Sequence, residues 1–194
     1  MVKLIGKNKL NSAIFISGRG SNLKSLINFS KKNSSPIKIA LVISNKKNAK
    51  GLNYAKQNNI KTIVVIYKNK LKTEKKILSD LSKHNIRLIC LAGFMKILSK
   101  KFISKFNGKI LNIHPSLLPN YKGLNAHRRV IEKKEKFTGC TVHLVNSRLD
   151  SGKIILQKKI RVFKKDNENS LSKKVLKIEH KLYPKAVIKL LSNL

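Results

Sequence analysis

Residues 13–29 read AIFISGRGSNLKSLINF. The first five form an apolar run of strand length, and from Leu23 onward the apolar residues recur at helical spacing. Between the two stands GRGSN, a tight loop. Gly18 and Gly20 let the backbone turn and approach a ligand closely. Ser21 or Asn22 can cap the helix while its free N–H groups face an anion. The dinucleotide pattern requires a third glycine where Leu23 stands, and the Walker pattern requires Gly-Lys-Ser/Thr, so neither phosphate loop is complete. On these residues alone the loop reads either as an anion site at Gly20, Ser21 and Asn22 or as an ordinary strand-to-helix turn.

The same unit repeats outward. IKIALVIS (37–44) is a strand buried on both faces, followed by a helix over about 49–58. TIVVIY (62–67) leads through a lysine-rich loop into a helix near 71–84, and RLICLAG (87–93) is a fourth strand. Apolar strands alternating with amphipathic helices predict an α/β fold with a doubly wound, mostly parallel sheet. From Thr138 the pattern changes. TGCTVHLV and KIILQKKIRVF, separated by NSRLDSGK, predict an antiparallel strand pair near the C-terminal end with Asp150 in the loop between them. A last helix is expected after a cap at Asn169 or Ser170, kinked or broken at Pro184.

Residues 111–129, LNIHPSLLPNYKGLNAHRR, carry the chemistry. Asn112 and His114 lie two apart on a strand, so both point to one face and can converge on one atom. Pro115 holds His114 extended and ends the strand there. In a parallel sheet the carboxyl ends of the strands are where ligands bind. The alternative is that both residues are loop caps or satisfied core polars. FMKILSK (94–100) likewise reads as core or as an apolar wall for a flat ligand. A helix is expected from Ala126.

The chain has 194 residues, 44 Lys and Arg against 8 Asp and Glu, and a formal charge of +36. That length suits one domain, 1–194, with residues 1–11 as a loosely held leader. No apolar run approaches the roughly 20 residues of a membrane span, and no secretory signal is evident, so the expectation is a cytoplasmic protein off the membrane. The charge alone points to nucleic acid. The lysines are spread over every segment without interleaved aromatics, however, which favours a compositional bias over an obligatory nucleic-acid partner. Cys90 and Cys140 lack metal spacing and read as core residues, and no metal site is predicted.

Taken together and in order, ISGRGSNL, LAGFMKILS, ILNIHPSLLPNYKGL, TVHLV with RLDSG, and IEHKLYP resemble the glycinamide ribonucleotide formyltransferases, folate-dependent enzymes of purine synthesis. The likeness covers nearly the whole chain, and NIHPSLLP is its specific part. It implies a Rossmann-like formyltransferase fold and transfer of a formyl group from 10-formyltetrahydrofolate, as co-substrate, to the amine of glycinamide ribonucleotide. Asn112 and a protonated His114 would stabilise the tetrahedral oxyanion, with Asp150 raising the pKa of His114 and helping proton transfer. Gly20, Ser21, Asn22 and Glu179 would hold the ribonucleotide. Folate would lie between Met95, Lys96, Ile97 and Leu98 on one side and Asn146, Ser147, Arg148, Leu149 and Asp150 on the other, with Asn112 at its reacting end. Two positions depart from the family pattern: Lys70 falls near an arginine that meets the folate tail, and Asn125 stands where many relatives have histidine. His127 and Arg128 match. The partners implied are small molecules, acting on a monomer or homodimer. Formylation of methionyl-tRNA by the same fold, and a non-catalytic basic nucleic-acid-binding protein, are the competing expectations.

Overall fold

The computed structural model describes residues 9–192. Its strands are β1 (Leu10–Ile16), β2 (Ile37–Ser44), β3 (Lys61–Val64), β4 (Leu88–Leu91), β5 (Lys109–His114), β6 (Phe137–Leu144) and β7 (Ile154–Arg161). The helices are α1 (Ser21–Ser30), α2 (Gly51–Gln57), α3 (Lys70–Lys83), α4 (Lys100–Lys105), α5 (Ala126–Glu132) and α6 (Glu168–Leu191). One sheet runs in the order β3-β2-β1-β4-β5-β6-β7. β1 to β5 are parallel, whereas β6 pairs antiparallel with both β5 and β7. This is the doubly wound, mostly parallel arrangement that the alternation predicts, with the antiparallel pair where the pattern changes.

Side-chain alternation along the strands builds two cores. Ile14, Ile16, Val42, Leu88, Cys90, Leu111 and Ile113 face α1, α2, α5 and α6. Ala13, Phe15, Leu41, Ile43, Ile89, Leu91 and Ile110 face α3 and α4 through Ile77, Leu81 and Phe102. Each fully buried Leu, Ile or Phe contributes roughly 1.5–3 kcal/mol. Both cysteines are free and buried, as expected of core residues. No helix of the described residues is long and apolar enough to cross a membrane.

Several boundaries differ from expectation for identifiable reasons. Of the leader assigned to 1–11, residues 1–8 lie outside the described residues, while Leu10 and Asn11 pair with Ile37 and Lys38 at the start of β1. The third strand stops at Val64 rather than Tyr67, and the FMKILSK segment is loop until Ser99 caps the unpredicted α4 through the amide of Phe102. The cap of α6 is Asn167, in a reciprocal pair with Ser170 (2.9 and 3.1 Å), not Asn169 or Ser170. Nor does Pro184 break α6, which continues to Leu191. A proline in a helix deprives the carbonyl four residues back of its donor; here that carbonyl, on His180, accepts from Ser25 Oγ of α1 at 2.8 Å.

α6 also fixes the site from below. The buried Tyr183 hydroxyl lies 3.1 Å from the carbonyl oxygens of both Leu91 and Leu111, sharing its one proton between β4 and β5. Leu91 is the register partner of Asn112.

Candidate active site

The carboxyl ends of β1, β4 and β5 meet at one edge of the sheet. Ser17, just past β1, joins three segments there: its Oγ donates to Asn45 Oδ1 and accepts from the amide of Met95 at 2.7 Å, and its own amide donates to Gly93 O at 3.1 Å. Neither Ser17 nor Asn45 is apparent from the sequence as part of the site.

Beside this junction Asn112, His114 and Asp150 come together from two segments. His114 Nδ1 is 3.3 Å from Asp150 Oδ2, and Asn112 Nδ2 donates to Asp150 Oδ1 at 3.3 Å. Asp150 sits in the left-handed region (φ 45°) of the β6–β7 loop and also accepts from the Gly123 amide at 2.9 Å. Gly152 makes that turn possible, since a Cβ there would stand 1.7 Å from the Leu144 carbonyl oxygen. A fourth side chain, His143, was not among the predicted residues. Its Nε2 is 3.2 Å from Asn112 Nδ2 and 3.5 Å from Asp150 Oδ1, and its Nδ1 is 2.9 Å from Leu144 O.

The loop after β5 is pinned to the antiparallel pair. Thr141 Oγ1 donates to Ser116 O (2.7 Å) and accepts from the Leu118 amide (3.1 Å) and from Gln157 Nε2 (2.7 Å). The loop then delivers the Tyr121 carbonyl to His114 Nε2 at 2.8 Å.

Electrostatics divide the cluster. Burial pushes the Asp150 carboxyl up, but the Gly123 amide and the charge of the neighbouring His114 imidazole outweigh it, and the group is held below the usual carboxylate range. Burial pulls the His114 imidazole below its ordinary value. The Tyr121 carbonyl and Asp150 oppose that pull without cancelling it. The expected raising by Asp150 is therefore present but does not win, which corrects the expectation that it holds His114 charged in the free site.

At β1 the loop does not cap as predicted. Gly20 (φ 77°) is itself the N-cap of α1, and no side chain caps the helix, so the first-turn amides stay open to an anion. A Cβ at Gly20 would lie 2.5 Å from Gly51 Cα, so glycine is required by space as well as by angle. Asn22 Nδ2 donates to Glu179 Oε2 at 2.7 Å, bringing two of the predicted ribonucleotide residues together from opposite ends of the chain. Asn22 Oδ1 is buried without a partner. Burial raises the Glu179 pKa and the Asn22 donor partly offsets it.

The predicted folate wall is mixed. Met95 and Ile97 are exposed at 60% and 63%, and Leu149 at 51%, as a ligand surface requires. Leu98 instead belongs to the core with Phe102 and Phe106, so its side chain is structural. Asn146, Ser147, Arg148 and Lys96 lie at or near the surface, with Asn146 Oδ1 accepting from the Arg148 amide at 2.9 Å. Lys70 is the exposed first residue of α3 and makes no hydrogen bond or ion pair among the described residues. Glu74 ties its helix to the 94–99 loop by accepting from the Ser99 amide (2.9 Å) and hydroxyl. Asn125 occupies a left-handed position (φ 57°) before α5, which asparagine tolerates better than most residues. Next to it His127 Nδ1 is buried and unpartnered, while Arg128 pairs with Glu132 at 2.9 Å on the surface.

Comparison with known proteins agrees with this geometry. Residues 10–187 match the family described as formyl transferase. The phosphoribosylglycinamide formyltransferase of Haemophilus influenzae is 45% identical over 175 residues, covering 89% of this chain and 82% of that one. The human trifunctional purine biosynthetic protein adenosine-3 is also 45% identical, over 93% of this chain, but the chain spans only 18% of its length. A crystal structure of phosphoribosylglycinamide formyltransferase from Anaplasma phagocytophilum superposes with a TM-score of 0.89 at 42% identity, covering 96% of this chain and 88% of that one. With its sheet order, its Asn112, His114 and Asp150 cluster and these likenesses all in agreement, the chain belongs to the formyl transferase family.

Proposed function

We propose that this protein transfers the formyl group of 10-formyltetrahydrofolate to the amine of glycinamide ribonucleotide, a step of purine synthesis. The observation that carries the reading is Asp150 reaching both Asn112 and His114 at 3.3 Å from a separate segment. The substrate amine attacks the formyl carbon, a C–N bond forms and the carbonyl oxygen becomes an oxyanion. Collapse breaks the bond to folate N10, which takes a proton as the amine loses one. Asn112 is the permanent donor to the oxyanion. His114 becomes the second when the developing negative charge raises its pKa against the pull of burial, so its protonation is coupled to the transition state. Asp150 then faces an imidazolium: the proton that the amine loses passes by way of water at Asp150 to His114, and from His114 to N10 as the bond to folate breaks.

The second site lies at the right distance. β1 and β5 flank β4. The glycine loop is thus two strand spacings, roughly 10 Å, from the cluster, a length that a ribose phosphate bridges. Its phosphate rests on the open amides of α1, and Glu179 takes the ribose hydroxyls or the substrate's amide. Folate packs on Met95, Ile97 and Leu149, with Lys70 supplying a point charge to its tail rather than an arginine fork. Both ligands are soluble anions, and the excess positive charge speeds their encounter at low salt. We place the protein in the cytoplasm, as a monomer or homodimer acting on small molecules.

Turnover of the purified chain with the two named substrates tests this. Loss of about 10²–10³ in kcat in His114→Ala is expected. Turnover with charged tRNA alone, or salt-sensitive nucleic-acid binding without turnover, overturns it.

A further inference from the structure

We infer that His143 is a positioning residue that fixes the side-chain amide of Asn112 with its nitrogen, not its oxygen, toward the reacting carbonyl. The inference rests on the reading of Asn112 as an oxyanion donor. In the β5–β6 register Asn112 stands directly opposite His143, whose ring is 2% exposed and has no room to turn away. Its two nitrogens differ. Nδ1 is 2.9 Å from the Leu144 carbonyl oxygen, a group that can only accept, so Nδ1 carries the proton. Nε2 is then a bare acceptor, and Asn112 Nδ2 donates to it at 3.2 Å. The 3.5 Å between Nε2 and Asp150 Oδ1 is too long for a charge-assisted bond, which agrees with that assignment.

A rotated amide would point Asn112 Oδ1 at the imidazole lone pair and at Asp150 Oδ1, two repulsions between nearly buried groups. Asn112 therefore has one stable orientation. In it both amide hydrogens are already engaged, one by His143 and one by Asp150. Asp150 retains the Gly123 amide at 2.9 Å if it gives up Asn112, whereas Asn112 is the one donor that reaches His143 Nε2 among the described residues. The formyl oxygen thus displaces Asp150, and the bond to His143 holds the amide plane while it does so.

The test compares His143→Gln, which keeps an acceptor, with His143→Leu, which does not, each alone and with Asn112→Ala. The expected result is a fall of roughly tenfold to a hundredfold in kcat for His143→Leu, with both KM values nearly unchanged and most of the loss recovered by glutamine. In the Asn112→Ala background His143→Leu should cost less than about threefold, because its effect passes through the amide. Additive losses, or glutamine no better than leucine, overturn the inference. A two-bond 15N–1H correlation spectrum of the unaltered protein decides it independently of turnover and of variant folding. A neutral Nδ1–H tautomer of His143 supports it and an Nε2–H form overturns it. Lack of turnover by the unaltered protein defeats the proposed function alone, and the spectrum still gives the answer for His143.

Discussion

Asp150 and Glu179 are equally shielded from solvent, each 7% exposed, yet their acidities shift in opposite directions. Exposure does not separate them; Glu179 is the more deeply enclosed by protein, and the donors around the two differ. Asp150 has the Gly123 amide, the Asn112 amide and the His114 imidazole around it, enough to outweigh the cost of burying its charge. Glu179 has one donor, Asn22, and burial prevails. One region is thus built to keep an anion beside a histidine that must gain a proton. The other holds a carboxyl that takes up a proton readily and can both accept from and donate to sugar hydroxyls.

The sharpest way to break this contrast is Asp150→Asn, which keeps the shape and removes the charge. A loss of about 10³ in kcat is expected, in the range for a group that stabilises the charged form of a catalytic imidazole. The same change removes one of the influences that raise the His114 pKa, so that pKa falls further. Activity that needs protonated His114 declines as pH rises through that value, and the declining limb should move to lower pH in the variant. A pH–rate profile of kcat/KM in which the limb stays in place would show that Asp150 does not act through His114.

How much of this was readable from the letters depends on how local each determinant is. β1, β2 and β4 are buried along most of their length and announce themselves as apolar runs. His114 before Pro115 marks a strand end by backbone sterics alone. His143 is different: in TVHLV it is one polar residue among several, and its meaning comes from lying opposite Asn112 across the antiparallel β5–β6 pair. Ser17 and Asn45 gain theirs by bridging strand ends far apart in sequence. Pro184 stays inside a helix because Ser25, 155 residues from His180, supplies the missing donor, a tertiary contact invisible to local rules. Local rules do not single out the α6 cap, because Asn167, Asn169 and Ser170 are all good capping residues, and the reciprocal Asn167–Ser170 bond decides among them.

A milder challenge to the contrast is Glu179→Gln. Because burial already raises the pKa of Glu179, a neutral amide of the same size is tolerated there, and Asn22 can still donate to its oxygen. KM for the ribonucleotide should rise by a few-fold to about tenfold, the worth of one neutral hydrogen bond, with kcat within a few-fold of the unaltered enzyme. A kcat loss as deep as that of Asp150→Asn would mean that the two carboxyls share the chemistry, and the division of roles would collapse.

The smallest expected effect, and the one that isolates the physics from catalysis, is the pH dependence of stability. Asp150 has a folded-state pKa below its unfolded value, so it stabilises the fold above the ordinary carboxylate range and that contribution is lost as pH falls. Glu179 has a raised folded-state pKa, so its favourable contribution is present at low pH and is lost as pH rises through the raised value. Urea unfolding between the acid range and neutrality should therefore give difference curves of opposite slope. Relative to Asp150→Asn, the unaltered protein should gain stability with rising pH; relative to Glu179→Gln, it should lose stability. Each change should be on the order of 1 kcal/mol, the scale of one hydrogen bond. Curves sloping the same way would mean that burial depth, and not the number of donors, sets the acidity of both groups.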